Sequence, residues 1–438
     1  IYVAEMRFFR ALEYFNKIQL LGDVPWLEVD LNVDSEELYG PKMKRNQVFQ
    51  KIIEDLDFAI QWLPEAGSEE ANRLNKDIAR HVKARFCLNE GTHYKYHDEL
   101  EYASEAEKWL QMAATESDKL ITSGRYEIYN TGHPQEDYFN MYRIDDKSDL
   151  KEAVLYVDYK TNIREHNMAA AGREAGCGFS KSFVESFLCS DGLPISLSNK
   201  YLGDETMRKE TANRDPRLKQ LILTNDFPTN VTDDLKDSTF VVNEDEFITQ
   251  HCFTGYRPIK GFNPIYSQAL YMKSSFDGIA YRYAETLLIN AEAKAELNTI
   301  TNADLDRTVN QLRDRVGMPH LTVNVGFTDP KWPDWGYSLS PVLQEIRRER
   351  CIELAGEGFR FNDLKRWKAG KLLNNVLTYV GKRKPDGNLA IVYPNYTNPD
   401  LSYQAGKSRT WEDKMYLYPI PTGELQRNPQ LLPQNPGW

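Results

Sequence analysis

The amino-acid sequence predicts a mainly α fold: helical hairpins with long inserted loops and a few short strands. Three observations predict it. Apolar residues recur at three- and four-residue spacing over much of the chain. Alanines crowd the positions where neighbouring helical segments would meet. Long stretches rich in Gly, Pro, Asn and aromatic residues interrupt the pattern.

Taken in order, residues 2–21 form the first predicted helix, with Met6, Phe9, Leu12, Phe15 and Ile18 as its apolar positions. Residues 46–63 form the second, with Phe49, Ile52, Ile53, Leu56, Ile60 and Leu63 on one face and Pro64 as the stop. Residues 76–97 and 103–123 read as a helical hairpin, because Ala79, Ala84, Ala106, Ala113 and Ala114 permit close approach. Residues 280–297 and 303–316 read the same way, with Tyr283, Leu287, Leu288, Ala291 and Ala295 facing inward. Pairs of this length and alanine content resemble tetratricopeptide-type hairpins, without a strict 34-residue period. A strand is expected at Ala153–Tyr159. Three irregular regions remain, 160–275, 321–340 and 380–415, and loops that long usually carry function or are disordered. The expected organisation is one domain with a helical-repeat part over 1–123, a loop-rich insert over 124–279 and a C-terminal helical and loop part over 280–438.

The totals exclude several function classes. Against 54 Lys and Arg stand 65 Asp and Glu, a net charge of −11, which argues against a nucleic-acid groove. Five scattered cysteines contain no C-x-x-C pair, so neither a zinc site nor a disulfide framework is indicated. No apolar run is long enough to span a bilayer. The 25 Tyr and 8 Trp are many for so polar a chain, and amphipathic rings suit contact with partly polar ligands.

The segment Glu345–Leu373 raises the sharpest question about chemistry. Charged side chains surround a thin apolar stripe of Ile346, Ile352, Leu354, Phe359, Phe361, Leu364 and Trp367, with Gly358 as a break between two helices. Such a segment is either a carboxylate active site, using Glu349 or Glu353 with Glu357, or an ion-pair clamp. Arginines three or four residues from each carboxylate would keep the acids charged, which favours the clamp. Asp363 with Arg366 repeats the arrangement. His93 and His97 share a helix face near Glu90, Asp98 and Glu101, but the HExxH form is absent and a surface helix end is the expected reading. No nucleophile elbow, P-loop or dinucleotide fingerprint occurs, so no catalytic residue, metal or cofactor is expected.

An ordered series of motifs then carries a family resemblance. It runs RFFRALEYFNKIQLLGDVPWL (Arg7–Leu27), IIEDLDFAIQWLP (Ile52–Pro64), KSFVESFLCSDGLPI (Lys181–Ile195), NRDPRL (Asn213–Leu218) and YRYAETLLINAEAKAEL (Tyr281–Leu297). LDRTVNQLRDRVGMP (Leu305–Pro319), ERCIELAGEGFRFNDLKRW (Glu349–Trp367) and YLYPIPTGELQRNPQLLPQNPGW (Tyr416–Trp438) complete it. In this order the chain resembles the SusD/RagB family of outer-membrane lipoproteins that capture nutrients. The resemblance implies a fold on tetratricopeptide-like repeats and an outward-facing anchor through an acylated N-terminal cysteine, which this sequence does not include. It also implies a SusC-like TonB-dependent transporter partner, over which the lipoprotein acts as a lid. The implied ligand is an oligosaccharide, with peptide capture as the alternative and glycan cleavage as the alternative from another class.

Family ligand residues lie in variable loops, so the site is sought in composition. Sugars call for flat rings to stack on pyranose faces and planar polar groups to pair with hydroxyls. The first candidate rim is Tyr159, Asn162, Arg164, His166, Asn167 and Arg173, whose cations also suit an acidic glycan or a peptide terminus. The second is Tyr256, Arg257 and Tyr266 with Tyr271, and the third Trp332 and Trp335 with Tyr337. The DGLPI and RDPRL turns are expected to be scaffold marks.

Overall fold

The computed structural model describes residues 1–69, 72–168, 178–225, 227, 230–231, 237–238, 247–248, 252–391 and 409–438. The chain is mainly helical and divides into two units. The first comprises Ile1–Leu120, Asp363–Lys371 and Trp411–Trp438; the second comprises Ile121–Asn362 and Leu372–Thr410.

In the first unit α1 (Tyr2–Leu21) packs on α2 (Arg45–Trp62), which packs on α3 (Lys76–Tyr96). The buried side of α1 is Ala4, Phe8, Ala11, Phe15 and Ile18, against Val48, Phe49, Ile52, Ile53 and Leu56 of α2. Here the expected stripe is corrected: Met6 and Phe9 are exposed, because the i, i+4, i+7 row that starts at Ala4 turns them to the other side. Phe15 stacks on Phe86 of α3 at 3.6 Å between centroids, and burying such a ring stabilises by about 1.5–3 kcal/mol. Gly22, at φ 76°, ends α1, while the Asn75 side chain accepts the Ile78 N–H to start α3. The fourth helix, α4 (Ala106–Thr122), places Trp109 edge-on to Phe49. The C-terminal tail returns to α1, where Tyr418 N–H donates to Leu20 O and Asn435 Nδ2 to Leu21 O.

The first unit also buries charge. Arg45 donates twice to Glu90, and Arg10 twice to Asp55. His93 and His97, expected at a surface helix end, are buried with rings 4.0 Å apart. The correction has a simple cause: segment 363–371 covers them, and His97 Nε2–H donates to Lys365 O at 2.9 Å. Among the described residues no group of three or more acids, cysteines and histidines could hold a metal.

In the second unit strand β1 (Ala153–Val157) pairs antiparallel with β2 (Gly278–Arg282), with Ala153 opposite Arg282 and Val157 opposite Gly278. The expected strand therefore exists and ends two residues early, where the chain leaves for the 158–277 excursion. β2 runs straight into α5 (Tyr283–Glu296), which packs on α6 (Val309–Arg315) and α7 (Pro341–Glu353). The helix expected over 303–316 is split, because Thr301 and Asp304 form a capping box for a separate turn, Asn302–Asp306. A hairpin, β3 (Val380–Arg383) with β4 (Leu389–Ile391), lies inside the region expected to be irregular from 380.

The excursion itself is not a free loop. Phe187, Leu188, Leu218, Leu221, Ile222, Tyr256, Ile259 and Phe262 share one apolar cluster with Val316 and Ile352. The short helix Arg217–Leu221 carries Leu218 and Leu221, and the short helices Lys181–Ser186 and Met207–Thr211 add Val184 and Met207 to the cluster. The two turn motifs brace this part. Asp191 accepts from Leu193 N–H and Ser198 Oγ–H, and Arg214 donates to the carbonyls of Val184, Phe187 and Glu210.

Candidate ligand platform

The charged helix is the first place to look for chemistry, and its geometry answers directly. Glu345, Glu349 and Glu353 of α7 are all buried. Glu353 accepts from Arg315 at 2.6 and 2.7 Å, from Arg282 at 2.6 Å and from Arg217 at 3.0 Å. Glu349 accepts from Arg217 and Arg313, and Glu357 from Arg282 and Lys260. Burial alone would raise the Glu353 carboxyl, but Arg315, Arg282 and Arg217 outweigh it and hold the group well below the carboxylate range. Glu357 is lowered in the same way, its burial outweighed by Arg282 and Lys260. A general acid must hold a proton near neutral pH, and these groups are held ionised.

The clamp reading thus describes the segment, with two corrections. Most of its arginines come from distant segments rather than from three or four residues away; Arg348 with Glu345 and Arg366 with Asp363 are the local pairs. The charges are also inside, whereas Phe361 of the expected apolar stripe is exposed.

The candidate rings separate into two groups. Tyr256 is fully buried, its hydroxyl donating to Glu210 at 2.8 Å. Trp335 is buried too, with Nε1–H on Gln344 Oε1 and the Arg347 guanidinium 4.7 Å from its ring centroid. These positions correct the expectation that either ring faces a ligand: both complete the packing around buried charge. Trp332 is half-buried and donates to Glu345 Oε1 at 2.7 Å, so its indole N–H is tied to the clamp helix. Arg257 is half-buried, and its carbonyl accepts Leu223 N–H. Arg173 lies outside the described residues.

The remaining candidates come together. Tyr159, Asn162, Arg164, His166 and Asn167 from one end of the excursion lie against 266–276 from its other end. Backbone bonds join the two ends: His166 N–H donates to Ser274 O at 2.9 Å, and Ser274 N–H to His166 O at 3.1 Å. Asn167 Oδ1 accepts Met272 N–H, and Thr161 Oγ–H donates to Ser275 Oγ. Asn162 and Met272 both adopt left-handed backbone, at φ 62° and 55°. For the Met that conformation is uncommon, and its bond to Asn167 helps hold it. Residues 160–164 form a tight turn closed by Lys160 and Arg164, whose guanidinium lies 4.9 Å from the Tyr159 centroid.

Buried Asp277 anchors the assembly. Its carboxylate accepts Tyr159 N–H at 2.8 Å and Lys147 N–H at 3.0 Å. On this base stand the exposed rings of Tyr266 and Tyr271, exposed by 55% and 70%, with Ile163, Met168, Leu270 and Met272 exposed beside them. Arg164, Asn162 and Lys160 supply exposed polar groups. Chemically the surface offers two flat amphipathic rings, a guanidinium, an amide and apolar side chains on a cross-braced base. The sequence reading missed the apolar members and Asp277. The Asp277–Gly278 pair just before a strand was the available signal for that anchor.

Comparison with known proteins places this geometry in a family. The SusD family model matches residues 119–438. Two SusD-like proteins of Formosa agariphila are 25% and 24% identical, over 99% and 98% of this chain and 74% and 71% of their own lengths. A crystal structure of a SusD-like protein from Bacteroides fragilis superposes with a TM-score of 0.71 at 25% identity, covering 99% of this chain and 79% of that one. A SusD-like carbohydrate binding protein from the same species gives a TM-score of 0.69 at 22% identity, covering 98% and 79%. The chain belongs to the SusD family.

Proposed function

We propose that this chain is a non-catalytic binding protein for an oligosaccharide nutrient, and that the Tyr266–Tyr271 platform is where the ligand rests. The observation that carries the reading is the braced surface itself: two exposed tyrosine rings on one segment, and exposed Arg164 and Asn162 on the segment bonded to it through His166 and Ser274. Rings supply stacking area at small entropic cost, and the planar polar groups read hydroxyls or carboxylates. Family membership and the carbohydrate-binding description of one structural neighbour support the ligand class. The same membership supports lipid anchoring on the outer face of the outer membrane and delivery to a SusC-like TonB-dependent transporter. No helix among the described residues is long and apolar enough to cross a membrane.

Calorimetric titration with maltohexaose, an oligogalacturonide, a sulfated galactan oligomer and a tripeptide tests the proposal. Saturable binding of a saccharide, weakened by Tyr266→Ala or Tyr271→Ala, is the expected result. Binding of the tripeptide alone transfers the function to peptide capture, and a saccharide affinity indifferent to both tyrosines removes the platform from it.

A further inference from the structure

His166 is half-buried in the base of the platform. It sits edge-on between two aromatic rings, with centroids 4.5 Å from Tyr159 and 4.6 Å from Phe276. Its two nitrogens have opposite partners. Nε2 faces the Phe276 carbonyl at 2.8 Å, and Nδ1 faces the Met168 N–H at 3.1 Å. A carbonyl can only accept and an amide N–H can only donate. The imidazole must therefore be neutral, with its proton on Nε2.

These two bonds sit beside the reciprocal backbone bonds between His166 and Ser274. One residue thereby joins the two ends of the excursion three times, through N–H, C=O and Nε2–H to 274–276, and ties down its own end through Nδ1 to Met168. Met168 in turn lies over Gly261, where a Cβ would come 2.7 Å from its sulfur. Releasing the Met168 amide frees a side chain that forms part of the exposed surface.

We propose that His166 is the positioning residue of the platform, and that adding a proton to Nδ1 releases the platform's Met168 edge. Protonation turns the acceptor into a second donor aimed at the Met168 N–H. That bond is lost and Met168 is freed from the ring, while the three bonds from His166 to 274–276 remain. The Met168 edge is then held at neutral pH and loosened in acid. This inference deepens the proposed binding function and rests on that reading for its consequence, although the clamp itself does not depend on any ligand.

The surroundings favour the neutral ring. Burial lowers the His166 pKa below 6.5; the Phe276 carbonyl opposes this and the Lys147 charge adds to it. Among the described residues, the charged groups on the neighbouring segments are Lys147, Lys273, Glu165, Asp277 and Arg164, the last lying over the Tyr159 ring. Lys147 comes from the 143–150 loop, and Asp277 is engaged with the Tyr159 and Lys147 amides. Glu165 accepts from Lys273 and from Asn162 N–H, and Tyr159 presents its ring. The depressed pKa gives a definite sign: the native state binds fewer protons than the unfolded chain below pH 6.5, so clamp stability is present above that pH and declines as pH falls through the folded value.

The test uses the whole chain. Long-range nitrogen–proton spectra, with His166→Gln to assign the signal, should show Nδ1 bare and Nε2 protonated at pH 7.5, titrating below 6.5. Amide exchange at Met168, corrected for intrinsic rate, should lose protection across that titration in the native chain, while Ser274, bonded to the His166 carbonyl, stays protected. In His166→Gln, which cannot titrate, protection of Met168 should not vary between pH 7.5 and 5. For whichever saccharide gives a measurable Kd in the titrations above, affinity should fall about two- to tenfold over the same range in the native chain, the effect of one lost hydrogen bond. It should stay flat in His166→Gln. An Nδ1–H tautomer, a midpoint at or above 6.5, or unchanged Met168 protection would overturn the clamp. A clamp that behaves as expected, with affinity indifferent to Tyr266 and Tyr271, would overturn the binding reading instead.

Discussion

Replacing Glu353 with Gln removes one negative charge from the middle of the buried lattice and leaves the shape of the side chain. Five cations (Arg217, Lys260, Arg282, Arg313, Arg315) face five carboxylates (Glu152, Asp215, Glu349, Glu353, Glu357) in that lattice. Neutralising Glu353 leaves five cations against four, so one buried positive charge is uncompensated. Breaking a buried pair from one side costs about 3–5 kcal/mol. Gln keeps one acceptor for its three guanidinium neighbours, which puts the expected loss near 3 kcal/mol. Urea unfolding at pH 7.5 reads the effect as a lower midpoint at unchanged slope. Arg427→Ala, which breaks the exposed pair with Glu424, is the control and should change stability by under about 0.5 kcal/mol. A Glu353→Gln loss below about 1 kcal/mol would refute the claim that the lattice is charge-balanced and enclosed.

Further predictions concern the same lattice, the site and the first unit. Glu353 and Glu357 are both held below 4.5, so the native state binds fewer protons than the unfolded chain in that window. Stability should rise with pH there and be lost as pH falls below about 4.5, seen by circular dichroism against pH. Tyr271→Ala should weaken saccharide binding by up to about tenfold, since a ring contact is worth about 0.5–1.5 kcal/mol, with the urea midpoint unchanged because the ring is exposed. Leu56→Ala empties a fully buried position between α1 and α2 and should cost about 2–5 kcal/mol by the same urea assay. Gly370→Ala would drive a Cβ into the Trp411 ring; a loss of about 1–3 kcal/mol with an altered near-ultraviolet tryptophan signal is expected.

Much of the fold was legible in the sequence because helices are local. The first four predicted helices match the observed ones to within three residues at each boundary, since the 3.6-residue pattern, Pro64 and Gly22 act over a few positions. The division of α1 between buried and exposed faces was less legible. Met6 and Phe9 fit the period as well as Ala4 and Phe8 do, and only the packing on α2 distinguishes them. The proposed platform was legible in part. Tyr159, Asn162, Arg164, His166, Asn167 and Tyr266 stand at one surface, but the sequence put Tyr256 and Trp335 beside them on residue type alone. Burial separates these rings, and for Tyr256 it comes with partners as far along the chain as Glu210 and Lys181, 46 and 75 positions away.

By itself the sequence determined the mainly α fold, the order of the helices and the family, all written in patterns that a short window or an ordered motif series contains. Tertiary structure alone decided which charges pair and which rings are left outside. Arg217, Arg282 and Arg315 reach Glu353 from segments 38 to 136 positions away. The low dielectric of the interior rewards such partners wherever the chain brings them, so their sequence separation carries no signal.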